Sequence, residues 1–310
     1  VAMPEEKMTG TPFSLEWTVQ ECDSGKLLRD FLGEQHISRS SLTDIKYNGG
    51  SILVGQEEVT VRYVLKTDDR IEVIFPKEQI SAGLTKENLP LDIIYEDHYL
   101  LVISKPPLMN TIPSRDRPAG SIANALAGYY DRTNISSTIH IVTRLDRDTS
   151  GIMLVAKHRH VHHLLSEQQK KGSVNRYYEA IVEGVIPEST RMINAPIGRK
   201  ETSIIEREVR EDGKPACTTV EVLEKLPCAT HILLKLMTGR THQIRVHMSH
   251  IGYPLAGDDL YGGSRKHIKR QALHCSKLAF YHPFLEKELT FTKELPQDMK
   301  TLIEDLRSRS

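Results

Sequence analysis

The chain has 310 residues, 39% of them hydrophobic and 26% charged, which excludes a disordered chain, a collagen and a membrane bundle. Lys plus Arg and Asp plus Glu both number 41, so any affinity for nucleic acid has to come from charge gathered on one surface. There is no apolar run of about 18 residues to span a membrane, Val1 to Pro12 lacks a signal-like apolar stretch, and Cys22, Cys217, Cys228 and Cys275 lie too far apart for a zinc site or disulfide framework, so a cytoplasmic protein is expected.

Residues 1–12 read as a tail. From Phe13 to Pro76 the pattern predicts a small α+β unit. Leu27, Leu28, Phe31 and Leu32 fall at helical spacing and Gly33 follows as a candidate C-cap. Ser40 or Ser41 is placed to cap a second helix through Ile45. Asn48-Gly49-Gly50 is a turn, and Ile52 to Val54 and Ile71 to Phe75 are strand-like. Residues 77–88 are polar, aperiodic and flanked by prolines, and read as a linker.

Residues 89–310 alternate strands with helices, so the whole chain reads as α+β. Leu91 to Tyr95, Leu100 to Ser104, Gly151 to Lys157, Tyr178 to Val185, Thr218 to Leu226 and His231 to Met237 are strand candidates. Helices are predicted over Ser121 to Tyr130, Val161 to Lys171 and, with Thr241 as cap, up to His250. His158, His160, His162 and His163 read as a solvated helix start.

Two runs carry chemistry. In Thr143-Arg144-Leu145-Asp146-Arg147-Asp148-Thr149-Ser150-Gly151, acids and arginines alternate in a loop before a buried strand, a suitable mounting for reactive groups. A solvated turn with surface ion pairs fits the spacing equally. In Gly239-Arg240-Thr241-His242-Gln243-Ile244-Arg245-Val246-His247, donors crowd a helix start, where free N–H groups favour anions. A plain amphipathic helix with a polar face fits that run as well.

Together the runs resemble the RluA/RluD-type family of RNA pseudouridine synthases. The family's H-R-L-D-x-x-T-S-G is Thr143 to Gly151 here, with Thr143 in place of the leading His. Its K-x-Y-x-A-x-V-x-G is Arg176 to Gly184, with Arg176 for Lys. Its G-R-T-H-Q-I-R-V-H is matched in full from Gly239 to His247. Gly257 to Gly262, Leu273-His274 and Leu101 to Pro107 match weaker landmarks, so the resemblance runs from about Leu89 to Leu289. Residues 13–76 resemble the small alpha-L RNA-binding domain that often precedes this catalytic domain, through Lys26 to Leu32 and Ile37 to Ser40. Residues 1–76 hold 8 Lys and Arg against 13 Asp and Glu, a poor balance for gripping phosphate. Any grip there falls to the face with Lys26, Arg29, Arg39 and Lys46.

The resemblance implies a large mixed, mostly antiparallel sheet in the catalytic domain. It implies isomerisation of a flipped-out uridine in structured RNA, ribosomal more than transfer RNA, without cofactor or metal. Asp146 matches the family's essential aspartate, which acts on sugar or ring. Arg245 matches the arginine paired with it, Tyr178 the tyrosine that stacks on the target ring, and Arg144 the arginine that fills the flipped base's place. Arg240 and Lys105 are expected at phosphates, His242 beside them, and Lys266, Lys269 and Arg270 in a basic patch between Met237 and Lys277. A monomer is expected.

Two rivals remain. Asp146-x-Asp148-x-Ser150 with Gly257-Asp258-Asp259 resembles the loops of magnesium-dependent phosphatases of the haloacid-dehalogenase type, although Thr143-Arg144 interrupts the apolar strand that such a loop should end. A non-catalytic RNA-binding protein is the other, against which the intact Asp146 and Arg245 speak.

Overall fold

The computed structural model describes residues 12–308, so the expected tail lies almost wholly outside the described residues. The first element is a strand absent from the sequence reading, β1 (Ser14–Thr18). It is followed by α1 (Leu28–Glu34), α2 (Arg39–Tyr47), β2 (Ser51–Val54), β3 (Glu57–Glu58) and β4 (Arg70–Ile74). The strands form an antiparallel sheet in the order β1-β4-β2-β3. Leu28, Phe31 and Leu32 of α1 pack with Ile45, Ile71 and Val73 into a core of their own.

Two expected caps differ. α1 runs through Gly33, and His36, at φ 63°, takes the left-handed position just beyond it. α2 starts earlier than expected, so Ser38 caps it: its Oγ accepts from the Ser41 N–H at 3.1 Å.

Residues 77–88 hold no helix or strand, yet hydrogen bonds fasten them to the C-terminal part of the chain. Glu78 accepts from the Arg159 N–H at 2.8 Å and pairs with His140, while Asn124 donates to the Thr85 carbonyl at 2.9 Å.

The remainder begins with β5 (Asp92–Glu96), β6 (Leu100–Lys105), α3 (Ile122–Arg132), β7 (His140–Ile141), β8 (Ser150–Ala156), α4 (Arg159–Lys170) and β9 (Asn175–Glu183). It continues with β10 (Thr190–Asn194), β11 (Ile197–Arg199), β12 (Arg207–Val209), β13 (Cys217–Lys225) and β14 (Ala229–Leu236). The last elements are α5 (Gln243–His250), β15 (Leu273–His282), β16 (Lys287–Thr292) and α6 (Gln297–Arg307). Ten strands form one sheet along β10-β13-β14-β9-β15-β8-β6-β5, with β16 beside β15 and β7 beside β8. Every pairing is antiparallel except β15 with β8, which gives the mixed, mostly antiparallel sheet expected. All seven residues of β8 are buried, as its unbroken apolar run requires of a strand covered on both faces.

Two of the four histidines at the start of α4 correct the sequence reading, while His163 is exposed as expected. His160 is buried and stacks on Phe75 at 5.2 Å, and His158 stacks on Phe13 at 4.0 Å. Phe13, just before β1, and Phe75, just after β4, turn that part of an expected solvated face into a seam between the four-stranded and ten-stranded sheets.

Candidate active site

The site grows from the parallel pairing at the sheet's centre. Gly151, at φ 118°, passes so near β15 that a Cβ would lie 2.3 Å from the Cys275 carbonyl oxygen. Only glycine permits that approach. Ser150 Oγ bonds His274 Nδ1 across the pair at 2.9 Å. The Thr-Ser-Gly end of the first motif thus fixes where the loop ahead of it emerges.

The loop's backbone is held by side chains from three other segments. Thr111 Oγ1 donates to the Leu145 carbonyl at 2.6 Å. Lys105 Nζ donates to the carbonyls of Arg147, Pro106 and Met109 at 2.8, 2.9 and 2.8 Å. Arg270 Nη1 donates to the Asp148 carbonyl at 3.1 Å, while its Nε and Nη2 fork onto Asp298. A loop without secondary structure gets its rigidity this way.

Two expected phosphate ligands are therefore spent internally. Lys105 is 1% exposed and Arg270 3%. Burial pulls the Lys105 ammonium down to about 7, against the opposing pull of Asp148 and Asp146. Lys266 and Lys269 remain exposed. Arg270→Ala should therefore lower stability by roughly 3 kcal/mol, because buried carbonyls and Asp298 lose their donor together. Lys266→Ala should change it by less than about 0.5 kcal/mol. Urea denaturation distinguishes the two, and equal midpoints would show that Arg270 holds nothing.

A cleft of about 470 Å3 opens above the loop, and Asp146, Tyr178, Arg245, Arg144, Arg240 and His242 all line it. Residues as far apart as Asp146 and Arg245, 99 positions, meet there because the loop, β9 and the start of α5 all face the cleft. Asp146 is 30% exposed and Arg245 9%, with Nη1 of the arginine 3.4 Å from Asp146 Oδ2. The arginine's fork, expected on Asp146, lies elsewhere. Nε and Nη2 donate to Asp258 Oδ2 and Oδ1 at 2.7 Å each, and Asp258 is buried. Burial works against the Arg245 charge, and the Asp258 carboxylate outweighs it, so the guanidinium stands above its ordinary pKa.

His242 precedes α5 in a left-handed conformation, φ 56°. Its Nδ1 lies 2.7 Å from Tyr261 Oη and its Nε2 3.9 Å from Asp146 Oδ2. Burial lowers its pKa against the pull of Asp146, which keeps the ring neutral at pH 7. Thr241, the expected cap, is not one. Gln243 folds back instead, accepting from the Arg240 N–H at 2.9 Å and donating to the Cys217 carbonyl at 3.0 Å. Tyr178 is 4% exposed, and burial drives its phenol up, so it remains an O–H group.

Tyr261 and Thr111 were not expected at the site, and Asp258 only in the phosphatase reading. The Gly-Asp-Asp-Leu-Tyr-Gly match was the one signal for Asp258 and Tyr261 and gave no partner, and Thr111 had none. The phosphatase reading needs Asp258 and Asp148 free for a metal. Arg245 takes both oxygens of the first and Arg147 both of the second, at 2.7 and 2.9 Å.

Comparison with known proteins agrees with this geometry. The family described as RNA pseudouridylate synthase matches residues 99–250. An uncharacterized RNA pseudouridine synthase of Bacillus subtilis is 52% identical over 89% of this chain and 98% of its own. The chain belongs to the RNA pseudouridine synthase family. Ribosomal large subunit pseudouridine synthase D of Yersinia pestis is 36% identical over 95% of both chains. The structure of human RNA pseudouridylate synthase domain containing 1 superposes with a TM-score of 0.57 at 26% identity, covering 72% of this synthase and 96% of that chain. The protein is thus an isomerase that acts on RNA, and among the described residues no helix is long and apolar enough to cross a membrane.

Proposed function

We propose that this synthase converts uridine to pseudouridine in structured large-subunit ribosomal RNA, with Asp146 as nucleophile. The observation that carries the mechanism is a carboxylate 30% exposed at the cleft floor, touched by a single guanidinium nitrogen at 3.4 Å. Its lone pairs are open to a substrate. The target uridine has to leave its stack to reach it. Asp146 attacks C1′ as the N1–C1′ bond breaks and the base leaves as an anion. The base turns, C5 bonds to C1′ and expels the carboxylate, then C5 loses a proton and N1 gains one. No atom is gained or lost, so the chemistry calls for no cofactor. Tyr178, buried behind the cleft, offers a ring face to the base, and exposed Arg144 is placed to fill the vacated stack.

Ribosomal RNA is favoured because the Yersinia pestis relative carries that substrate in its name. We assign residues 13–76 an RNA-contacting role: Arg29, Arg39 and Lys46 line a second cleft of about 1840 Å3, together with His163 of α4 and Lys171 just beyond it. Lys26 is engaged by Asp23 and Glu34 at 2.8 and 2.7 Å and is left out.

The test is to incubate the purified protein with unmodified large-subunit RNA and map pseudouridine. A few defined uridines should convert, and chelator should leave the rate unchanged on RNA whose fold needs no magnesium. Conversion only in transfer RNA would overturn the substrate, and loss of activity in chelator, restored by magnesium, the mechanism.

A further inference from the structure

Three arginines are buried among the described residues: Arg176, Arg245 and Arg270. A guanidinium is tolerated inside a protein where a carboxylate compensates its charge. Arg245 forks onto Asp258 and Arg270 onto Asp298. Arg176 is 8% exposed, pairs with no carboxylate among the described residues, and keeps its Nε buried without a hydrogen-bond partner. The fold sets this charge into the wall of the cleft. β9 runs between β14 and β15, where Arg176 lies opposite Leu236 and Leu278. The alternation along β9 puts Arg176 and Tyr178 on one buried face, and both line the cleft with Asp146. Gly239, which opens the second motif, makes room for the guanidinium: a Cβ there would lie 2.8 Å from Nη2 and 3.2 Å from Nη1. An uncompensated cation weakens the folded protein, and the cleft is the one side from which an anion can relieve it.

We propose that Arg176 is a catalytic residue, which donates an N–H to a carbonyl oxygen of the departing uracil anion. The inference rests on the proposed reaction, in which the base leaves C1′ as an anion. As Asp146 bonds to C1′, the electron pair of the N1–C1′ bond goes to N1 and spreads onto O2 and O4. Side chains two positions apart on one face of a strand stand about 7 Å from each other, so a base lying on the Tyr178 ring brings an edge oxygen to the guanidinium. Arg176 keeps its own protons throughout. The negative charge it faces is gone once C5 has bonded to C1′ and the carboxylate has been expelled. A hydrogen bond from a cation is stronger to the anion than to the neutral uridine, so this contact lowers the barrier and adds little to binding. The phosphates of the RNA are the other anions at hand, and a contact with one of them would act on binding instead.

The experiment compares Arg176→Met, which keeps the length of the side chain and removes its charge, with Arg176→Lys, which keeps the charge. In single-turnover assays at saturating RNA, Arg176→Met should slow pseudouridine formation by roughly 100- to 1000-fold, the scale of one donor lost from a developing anion. RNA affinity should stay within about threefold, with an unchanged salt slope. Arg176→Lys should run within about tenfold of the wild type. A wild-type rate in Arg176→Met overturns the proposal. So does a loss confined to affinity, with a salt slope shallower by about 0.7 to 0.9, which would place a phosphate there. Fluorine at C5 draws charge from the ring, so a 5-fluorouridine target needs less help. The deficit of Arg176→Met, read as consumption of the target nucleoside, should narrow on it, and an equal deficit would make Arg176 a prop for Tyr178 and refute the contact. The urea midpoint completes the test. Removing an uncompensated buried charge should leave it unchanged or raise it, whereas a midpoint below that of the wild type would show a structural cation. That measurement needs no RNA, so it separates failure of this inference from failure of the proposed reaction.

Discussion

Asp146→Asn should bring pseudouridine formation down by at least about 10⁴-fold, roughly 5 kcal/mol in the barrier, while RNA affinity stays within about threefold. The substitution is isosteric, and an amide oxygen is a poor nucleophile without net charge. The surroundings should stay put, because the loop is held through the backbones of Leu145, Arg147 and Asp148 and not through this side chain. Arg245 keeps its charge partner in Asp258, 2.7 Å away, so no buried cation is stranded. Binding is thereby separated from chemistry, which one substitution seldom manages in a polar cluster. Single-turnover assays with tritium release from C5 measure the first effect and filter binding the second. An Asn variant running near the wild-type rate would remove Asp146 from the reaction.

Legibility in the sequence followed burial. β8 could be read because a strand covered on both faces needs an uninterrupted apolar run, and Gly151 to Ala156 supplies one. α3 could be read from Ser121, whose Oγ accepts from the Asn124 N–H at 3.3 Å as a cap should. β1 was equally readable, since Phe13, Leu15, Trp17 and Val19 alternate with polar residues, but a helix-first scheme leaves that pattern unused. β15 and β16 were harder. His274, Ser276 and His282 of β15 are buried polar residues bonded to other segments, which breaks the apolar signature of a central strand.

The site divides in the same way. The six cleft residues sit on ordered motifs, and those motifs named them. Lys105 and Arg270 were misjudged because a sequence shows a charge and not where it points: both cations are buried among backbone carbonyls that only the fold assembles. Asp258 illustrates the limit most clearly. As one acid in a glycine-bounded turn it looks like a turn residue, and its meaning depends on an arginine 13 positions away whose fork it takes from the expected partner.

Acid should open the molecule from the seam between its four-stranded and ten-stranded sheets. Burial pulls His158 down to about 3, and His160 and His274 to about 4. Each is neutral in the folded state at pH 5, whereas in the unfolded chain it titrates near 6.5. Below about pH 6.5 the unfolded chain binds protons that the folded one refuses, so stability is complete above that value and falls as the pH drops toward 4. One and a half pH units at about 1.4 kcal/mol each make roughly 2 kcal/mol per histidine at pH 5, a large share of a typical domain's total. Glu78 and Asp97 add to the loss at lower pH: His140 and His282 hold their pKa values down despite burial. Two of the three histidines lie on the seam, His158 stacked on Phe13 with an 11° tilt and His160 on Phe75. The contact between residues 13–76 and the ten-stranded sheet should thus loosen first, and protease should cut within 77–88 at pH 5 but not at pH 7.5. His160→Phe keeps an aromatic surface for Phe75 and cannot take a proton, so it should flatten the dependence of the urea midpoint on pH by one histidine's share. A midpoint that does not change between pH 7.5 and pH 5 in the wild-type protein would mean that these rings are solvated after all, and that the stacking across the seam carries no stability.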